Sequence, residues 1–70
     1  MATLIEYREQ LGWSRSELAR EAKLDYQTVS KAESGEPVTG RSARALATAI
    51  SKGLKTDITF QDIEGLSVRV

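Results

Sequence analysis

Residues 24 to 35 read LDYQTVSKAESG, and most of these side chains can donate or accept hydrogen bonds. From Asp25 onward only Val29 and Ala32 are clearly apolar. Tyr26, Gln27, Thr28, Ser30, Lys31 and Ser34 leave one side polar, rich in donors and poor in carboxylates. A merely solvated helix face carries Glu, Lys and Arg, so this set suits contact with an outside hydrogen-bonding surface. Bond-making chemistry is poorly supplied. With no His and no Cys in the chain, bases and nucleophiles reduce to carboxylates, Lys and hydroxyls, and none form a recognisable catalytic arrangement. Gly-rich phosphate loops are absent too. The expectation is therefore a chain that is not an enzyme and that needs no cofactor or metal.

The elements that carry this face must be small. Seventy residues make one domain, expected over 1–70, and a chain this short buries only about 60% of its unfolded surface. No disulfide or His/Cys metal cluster can staple it. Well-capped helices or a partner chain must supply the missing stability. The lack of cysteine fits a reducing cytoplasm. No apolar run nears the ~20 residues that span a membrane, and no signal-peptide core follows Met1. Ten basic and ten acidic residues cancel, so any affinity for a polyanion must come from local placement.

Glycines and caps divide the chain. Gly12, Gly35, Gly53 and Gly65 each follow a helix-like stretch, where a left-handed residue is easily accommodated. Thr3 with Glu6 and Ser14 with Glu17 read as capping boxes, and Thr59 with Asp62 is a weaker one. Asp25 can cap a helix starting at Tyr26, and Thr39 one starting at Gly40. Five helices follow, at about 4–11, 15–22, 26–34, 41–52 and 60–64, filling an all-α bundle over 1–64. Their apolar faces hold Leu4, Tyr7 and Leu11, then Leu18, Ala19 and Ala22, then Val29 and Ala32, then Ala43, Leu46, Ala47 and Ile50, with Trp13 on an apolar edge. In the tail, 65–70, Leu66, Val68 and Val70 alternate with Ser67 and Arg69, which reads as a short strand or an extended end.

Only Lys23, Leu24 and Asp25 join the second and third helices. So short a turn suits a steep crossing of about 90 to 120°, and Ala19 is small enough to accept Val29 at the contact. The stretch YREQLGWSRSELAREAKLDYQTVSKAESGEP resembles the helix-turn-helix of the phage repressor and Cro family, the lambda-repressor-like DNA-binding domains. The matching features are Gln10-Leu11-Gly12, the Ser14 cap, Glu17-Leu18-Ala19, Val29, Glu33 and Gly35, with Leu46, Ala47 and Ile50 like the family's fourth helix. The resemblance spans roughly residues 4 to 64.

That resemblance implies a compact five-helix bundle whose third helix enters the DNA major groove. Tyr26, Gln27, Thr28, Ser30 and Lys31 would then face bases or the groove wall. Gln can pair bidentately with adenine, Lys can reach guanine O6 and N7, and Thr can touch a thymine methyl. Ser14 and Arg15 would meet phosphate at a helix N-terminus, and Arg41 and Arg44 would meet the backbone from the other side. Arg8 and Glu33 stand where the family forms a structural ion pair. Two departures matter. Lys23 occupies a turn position where the family has Gly, so it is either left-handed, at about 1–2 kcal/mol, or the turn is rearranged. Ala32 replaces a larger apolar residue.

The resemblance implies a sequence-specific regulator that binds double-stranded operator DNA as a homodimer. Its half-sites would lie about 34 Å apart, with Leu66, Val68 and Val70 pairing the copies. A Cro-like or small repressor role in a phage or mobile element fits, controlled by concentration or a regulatory protein partner. The alternative is a protein-interaction module, an antitoxin or anti-repressor with weak or no DNA binding. Zero net charge favours this alternative, and residues 13 to 44 carry a local net of only +1, six basic against five acidic side chains, so Arg41 and Arg44 could also be ordinary surface charges.

Overall fold

The computed structural model describes residues 2–69, so the expectation placed on Val70 falls outside the described residues. Two helices open on the capping boxes. At the start of α1, Leu4–Leu11, the Thr3 hydroxyl accepts the Glu6 N–H at 3.2 Å and the Glu6 carboxylate accepts the Thr3 N–H at 2.9 Å. At the start of α2, Arg15–Ala22, Ser14 and Glu17 repeat this at 3.2 and 3.1 Å. Each box satisfies two otherwise unpartnered backbone donors. The third helix, α3, spans Tyr26–Glu33. Asp25 sits at its cap position in an extended conformation, but its carboxylate makes no capping bond, contrary to the sequence expectation.

The turn between α2 and α3 takes the left-handed form. Lys23 has φ 57° and ψ 44°, its N–H bonds the Arg20 carbonyl, and the Leu24 N–H bonds the Ala19 carbonyl at 2.8 Å. This is the Schellman closure that glycine usually makes. Gly12 makes the same closure after α1 without strain, at φ 71°. The rearranged turn is thereby ruled out, and the strain of a side chain at positive φ is real.

The fourth helix, α4, runs over Gly40–Leu54 from a Thr39 cap and ends at a left-handed Lys55. Gly53 is therefore not the terminating glycine that its place in the sequence suggests. A Cβ there would lie 2.6 Å from Leu11 Cδ2 and 3.1 Å from the Trp13 ring. Its bare backbone lets α1 and the following turn close onto α4. Beyond α4, the Ser51 hydroxyl accepts the Ile58 N–H at 2.9 Å and holds the returning chain against the helix.

No fifth α-helix forms among the described residues. Phe60–Asp62 makes one 3-10 turn, because Ile63 must turn extended to join a strand. The strands are all two residues long: β1 Ala2–Thr3, β2 Val38–Thr39, β3 Ile63–Glu64 and β4 Val68–Arg69. β3 runs parallel to β1, with Ala2 opposite Ile63, and β4 runs parallel to β2, with Val38 opposite Val68. β1 leads straight into α1, and β2 into α4. The C-terminal segment therefore holds the entries of both helices. Of the tail expected at 66–70, Val68–Arg69 forms a strand, and it pairs with β2 of the same chain. Leu66 and Val68 are half-buried against this chain's own core.

That core is built from Leu4, Leu18, Val29, Leu46 and Ile50, with alanines 19, 22, 32, 43, 47 and 49 between the helices. Ala32 is buried despite its small size. Alanine contacts bring helix axes close and leave little volume to fill, which suits so short a chain.

Two stability measurements test this account. Lys23→Gly relieves the left-handed strain but adds unfolded-state freedom, and the difference is a gain of about 0.5–1 kcal/mol in urea unfolding; a loss would mean that the Lys23 side chain stabilises the fold. The Thr3 N–H first, and the Thr3 hydroxyl second, hold the Glu6 carboxyl below its usual 4.5. The cap's contribution is then complete above that pH and fades as the pH falls through the lowered value. In an acid titration, Glu6→Gln should remove that part of the stability loss.

Candidate nucleic-acid interface

Val29 and Ala32 turn inward from α3, so its opposite side is set outward. Tyr26 is the one large hydrophobic side chain exposed among the described residues, at 50%. Gln27 and Lys31 are exposed, and Thr28 and Ser30 are half-buried at the edges of the same face. Ser34 ends the helix, with its hydroxyl donating to the Ser30 carbonyl at 3.0 Å. No carboxylate stands on this outward side, because the helix's one acidic residue, Glu33, turns inward.

The Glu33 side chain is 1% exposed. One oxygen accepts Arg8 Nε at 2.7 Å and the other accepts Arg15 Nε at 2.8 Å. Arg8 Nη1 also donates to the Trp13 carbonyl at 3.0 Å. One carboxylate thus joins α1, the α1–α2 connection, α2 and α3. The Arg8–Glu33 contact has the geometry of the structural pair implied by resemblance. The Arg15 contact was not legible in the sequence. It changes the reading of Arg15, whose Nε faces inward, although the side chain remains 42% exposed. The Tyr26 hydroxyl first, and Glu33 second, raise the Arg15 pKa further.

The α2 entry is also more occupied than the sequence suggests. Ser14 exchanges both its N–H and its hydroxyl oxygen with Glu17, so a phosphate there would meet the next N–H groups, of Arg15 and Ser16. Arg41 and Arg44 are exposed on α4. Thr28 and Lys31 share a concavity of about 140 Å³ with Pro37, Thr39 and Ser42. Thr39 and Ser42 were not expected in this interface. Thr39 accepts the Ser42 N–H and its hydroxyl donates to Ser42 Oγ at 3.1 Å. The signal was present in the Thr39 cap, but its closeness to Lys31 is set by the chain reversal through Gly35 and Pro37.

Among the described residues, no group of three or more metal-ligating side chains is assembled, and no helix is long and apolar enough to cross a membrane. The arrangement can form hydrogen bonds and ion pairs with an external surface.

Removing the Glu33 charge leaves the mostly buried Arg8 guanidinium uncompensated, at about 3 kcal/mol, whereas the half-exposed Arg15 contact is screened and worth less than about 1 kcal/mol. Glu33→Gln should therefore destabilise the fold several times more than Arg15→Ala in urea unfolding. Equal effects would refute the buried bridge as the dominant tie.

A family model described as helix-turn-helix matches residues 4–60, most of the chain. Comparison with curated proteins and with solved structures gave no match.

Proposed function

The chain belongs to the helix-turn-helix family, of the Cro/C1 type, and we propose on that footing that it is a sequence-specific DNA-binding transcription regulator. The observation that carries this reading is the outward face of α3, free of carboxylates because Glu33 is drawn inward. In this reading α3 lies in the major groove of operator DNA. Gln27 and Lys31 are the side chains with the reach and donors for base edges, Gln27 toward adenine and Lys31 toward guanine. Thr28 and Ser30 line the groove wall, and Tyr26 contributes its exposed ring. Arg41 and Arg44 contact the phosphate backbone, joined by the start of α2 around Ser14 and Arg15. Arg15 does so with whatever its guanidinium has left after Glu33.

The regulator acts as a homodimer of the Cro-like or small-repressor kind. A single module of this size makes few base contacts, and two copies reading half-sites about 34 Å apart multiply affinity without new chemistry. Leu66 and Val68 pack on their own core, so the tail's contribution to pairing falls to the backbone edge of β4 that faces away from β2.

Zero net charge favours a second reading, a protein-interaction module such as an antitoxin or anti-repressor. A salt-titrated binding assay against the DNA upstream of the protein's own gene, beside random DNA, decides between them. A regulator shows a specificity ratio far above one, and a ratio near one leaves the interaction module. Within the same assay, Lys31→Ala should cost about 1–3 kcal/mol and relax specificity at one base pair. Arg41→Ala should weaken binding to all sequences alike and reduce the salt slope by about 1. Uniform loss on Lys31→Ala would remove it from base reading.

A further inference from the structure

Charge is spread unevenly over this neutral chain. A groove of about 690 Å³ lies between the C-terminal end of α2, the length of α4 and Phe60. Lys23, Arg41, Arg44 and Lys52 line it, with Glu21 as the one acidic residue. Four cations and one anion leave three positive charges in the groove, and so three negative charges over the rest of the chain. All four cations are exposed, and none has a carboxylate within 4.0 Å among the described residues, where the two ion pairs formed both involve Glu33. Between the cations the groove is mostly apolar, with Thr48 as its one uncharged polar side chain. The buried methyls of Ala22 and Ala49 form its floor, with Ala45 and Phe60 along it.

We propose that this groove docks an acidic peptide segment of a partner protein, with one apolar side chain against Phe60 and the alanine floor and flanking carboxylates on Lys23, Arg41, Arg44 and Lys52. The two halves of the lining decide the occupant. A sugar-phosphate strand would satisfy the cations but has no apolar group for the floor, and an apolar helix would leave four desolvated cations unpaired. An acidic segment with an apolar residue satisfies both. The cations come from the α2–α3 turn and from three positions along one side of α4, so the match runs along a line as an extended or helical peptide does. Resting on the DNA reading above, the docking has a regulatory consequence. Arg41 and Arg44 serve both ligands, so the segment and the DNA backbone exclude each other.

The test is selection of displayed random dodecapeptides on the intact protein at physiological salt, followed by binding of the enriched peptides. Enriched sequences should carry several Asp or Glu around one aromatic or aliphatic residue. On binding they should shift the backbone amide signals of Lys23, Ala45, Thr48 and Lys52. Lys52→Gln, which removes one cation, and Ala45→Leu, which fills the floor, should each weaken the enriched peptides at least fivefold while leaving DNA affinity within twofold. No enrichment, enrichment of basic or wholly apolar sequences, or affinities unchanged in both variants would overturn the proposal. So would a glutamate homopolymer binding as tightly as the enriched peptides, since only the charges would then matter. Concentration-dependent sedimentation with loss of peptide binding would instead assign the groove to a second copy and overturn it as well. DNA binding is measured separately. Failure of DNA to bind sinks the regulator reading alone, whereas peptide bound without displacing DNA sinks the exclusion.

Discussion

The Glu33 carboxylate sets how α3 sits, because each of its oxygens receives a guanidinium from a different preceding helix. A buried charge of this kind is weak evidence of net stability, since desolvation offsets most of the attraction. Its value is directional. Val29 and Ala32 alone would let α3 rotate or slide on a core of small side chains, because apolar packing without interlocking side chains constrains rotation poorly. Arg8 from α1 and Arg15 from α2 remove that freedom. The same contact draws the one acidic side chain of α3 inward, so a single interaction both fixes the helix and clears its outer face of negative charge.

A second constraint comes from the far end of the chain. The segment from Ile63 to Arg69 pairs with the residues that lead into α1 and α4, and Ile63, Leu66 and Val68 close the core over them. Ser51 holds the connecting loop on α4, and Gly53 lets Leu11 and Trp13 approach it. These contacts are non-local, so the orientation of α4, and with it Arg41 and Arg44, depends on residues that touch no ligand. Two-residue strands are too short to stand alone. They persist because one strand of each pair, β1 or β2, continues into a capped helix whose first turn is already fixed.

What could be read in the sequence follows from the range of the forces involved. The Thr3–Glu6 and Ser14–Glu17 boxes join residues three apart, so type and spacing were enough. The division of α3 into an inner and an outer face followed from Val29 and Ala32 at helical spacing. The Arg15–Glu33 contact spans eighteen positions and depends on the angle at which α2 crosses α3, which no local pattern encodes. The same holds for Thr39 and Ser42 beside Lys31 and for the groove along α4. Gly53 misled because a glycine near a helix end serves chain reversal or close packing equally well, and only the presence of Leu11 and Trp13 decides. The fifth helix failed for a related reason: Ile63 was needed in a strand with the N-terminus, and that pairing outweighed one more helical turn.

Lys23 joins the two halves of the molecule. As a left-handed residue it closes α2 where glycine would do so without strain, at about 1 kcal/mol. The strain is tolerated because the turn is held on both sides, by the Ala19–Leu24 backbone bond and by the burial of Ala19 and Val29. Lys55 carries the same strain after α4, so this chain twice ends a helix on a left-handed lysine. At Lys23 the side chain also adds a cation to the groove that holds Arg41 and Arg44. Glycine would ease the backbone and lower the groove from three positive charges to two. Strained backbone tends to persist where the side chain has a use, and in the proposed docking that use is electrostatic. In a chain without net charge, binding of any anion depends on cations gathered into one place, and the turn that joins α2 to α3 is one of the few points from which a cation can reach that groove.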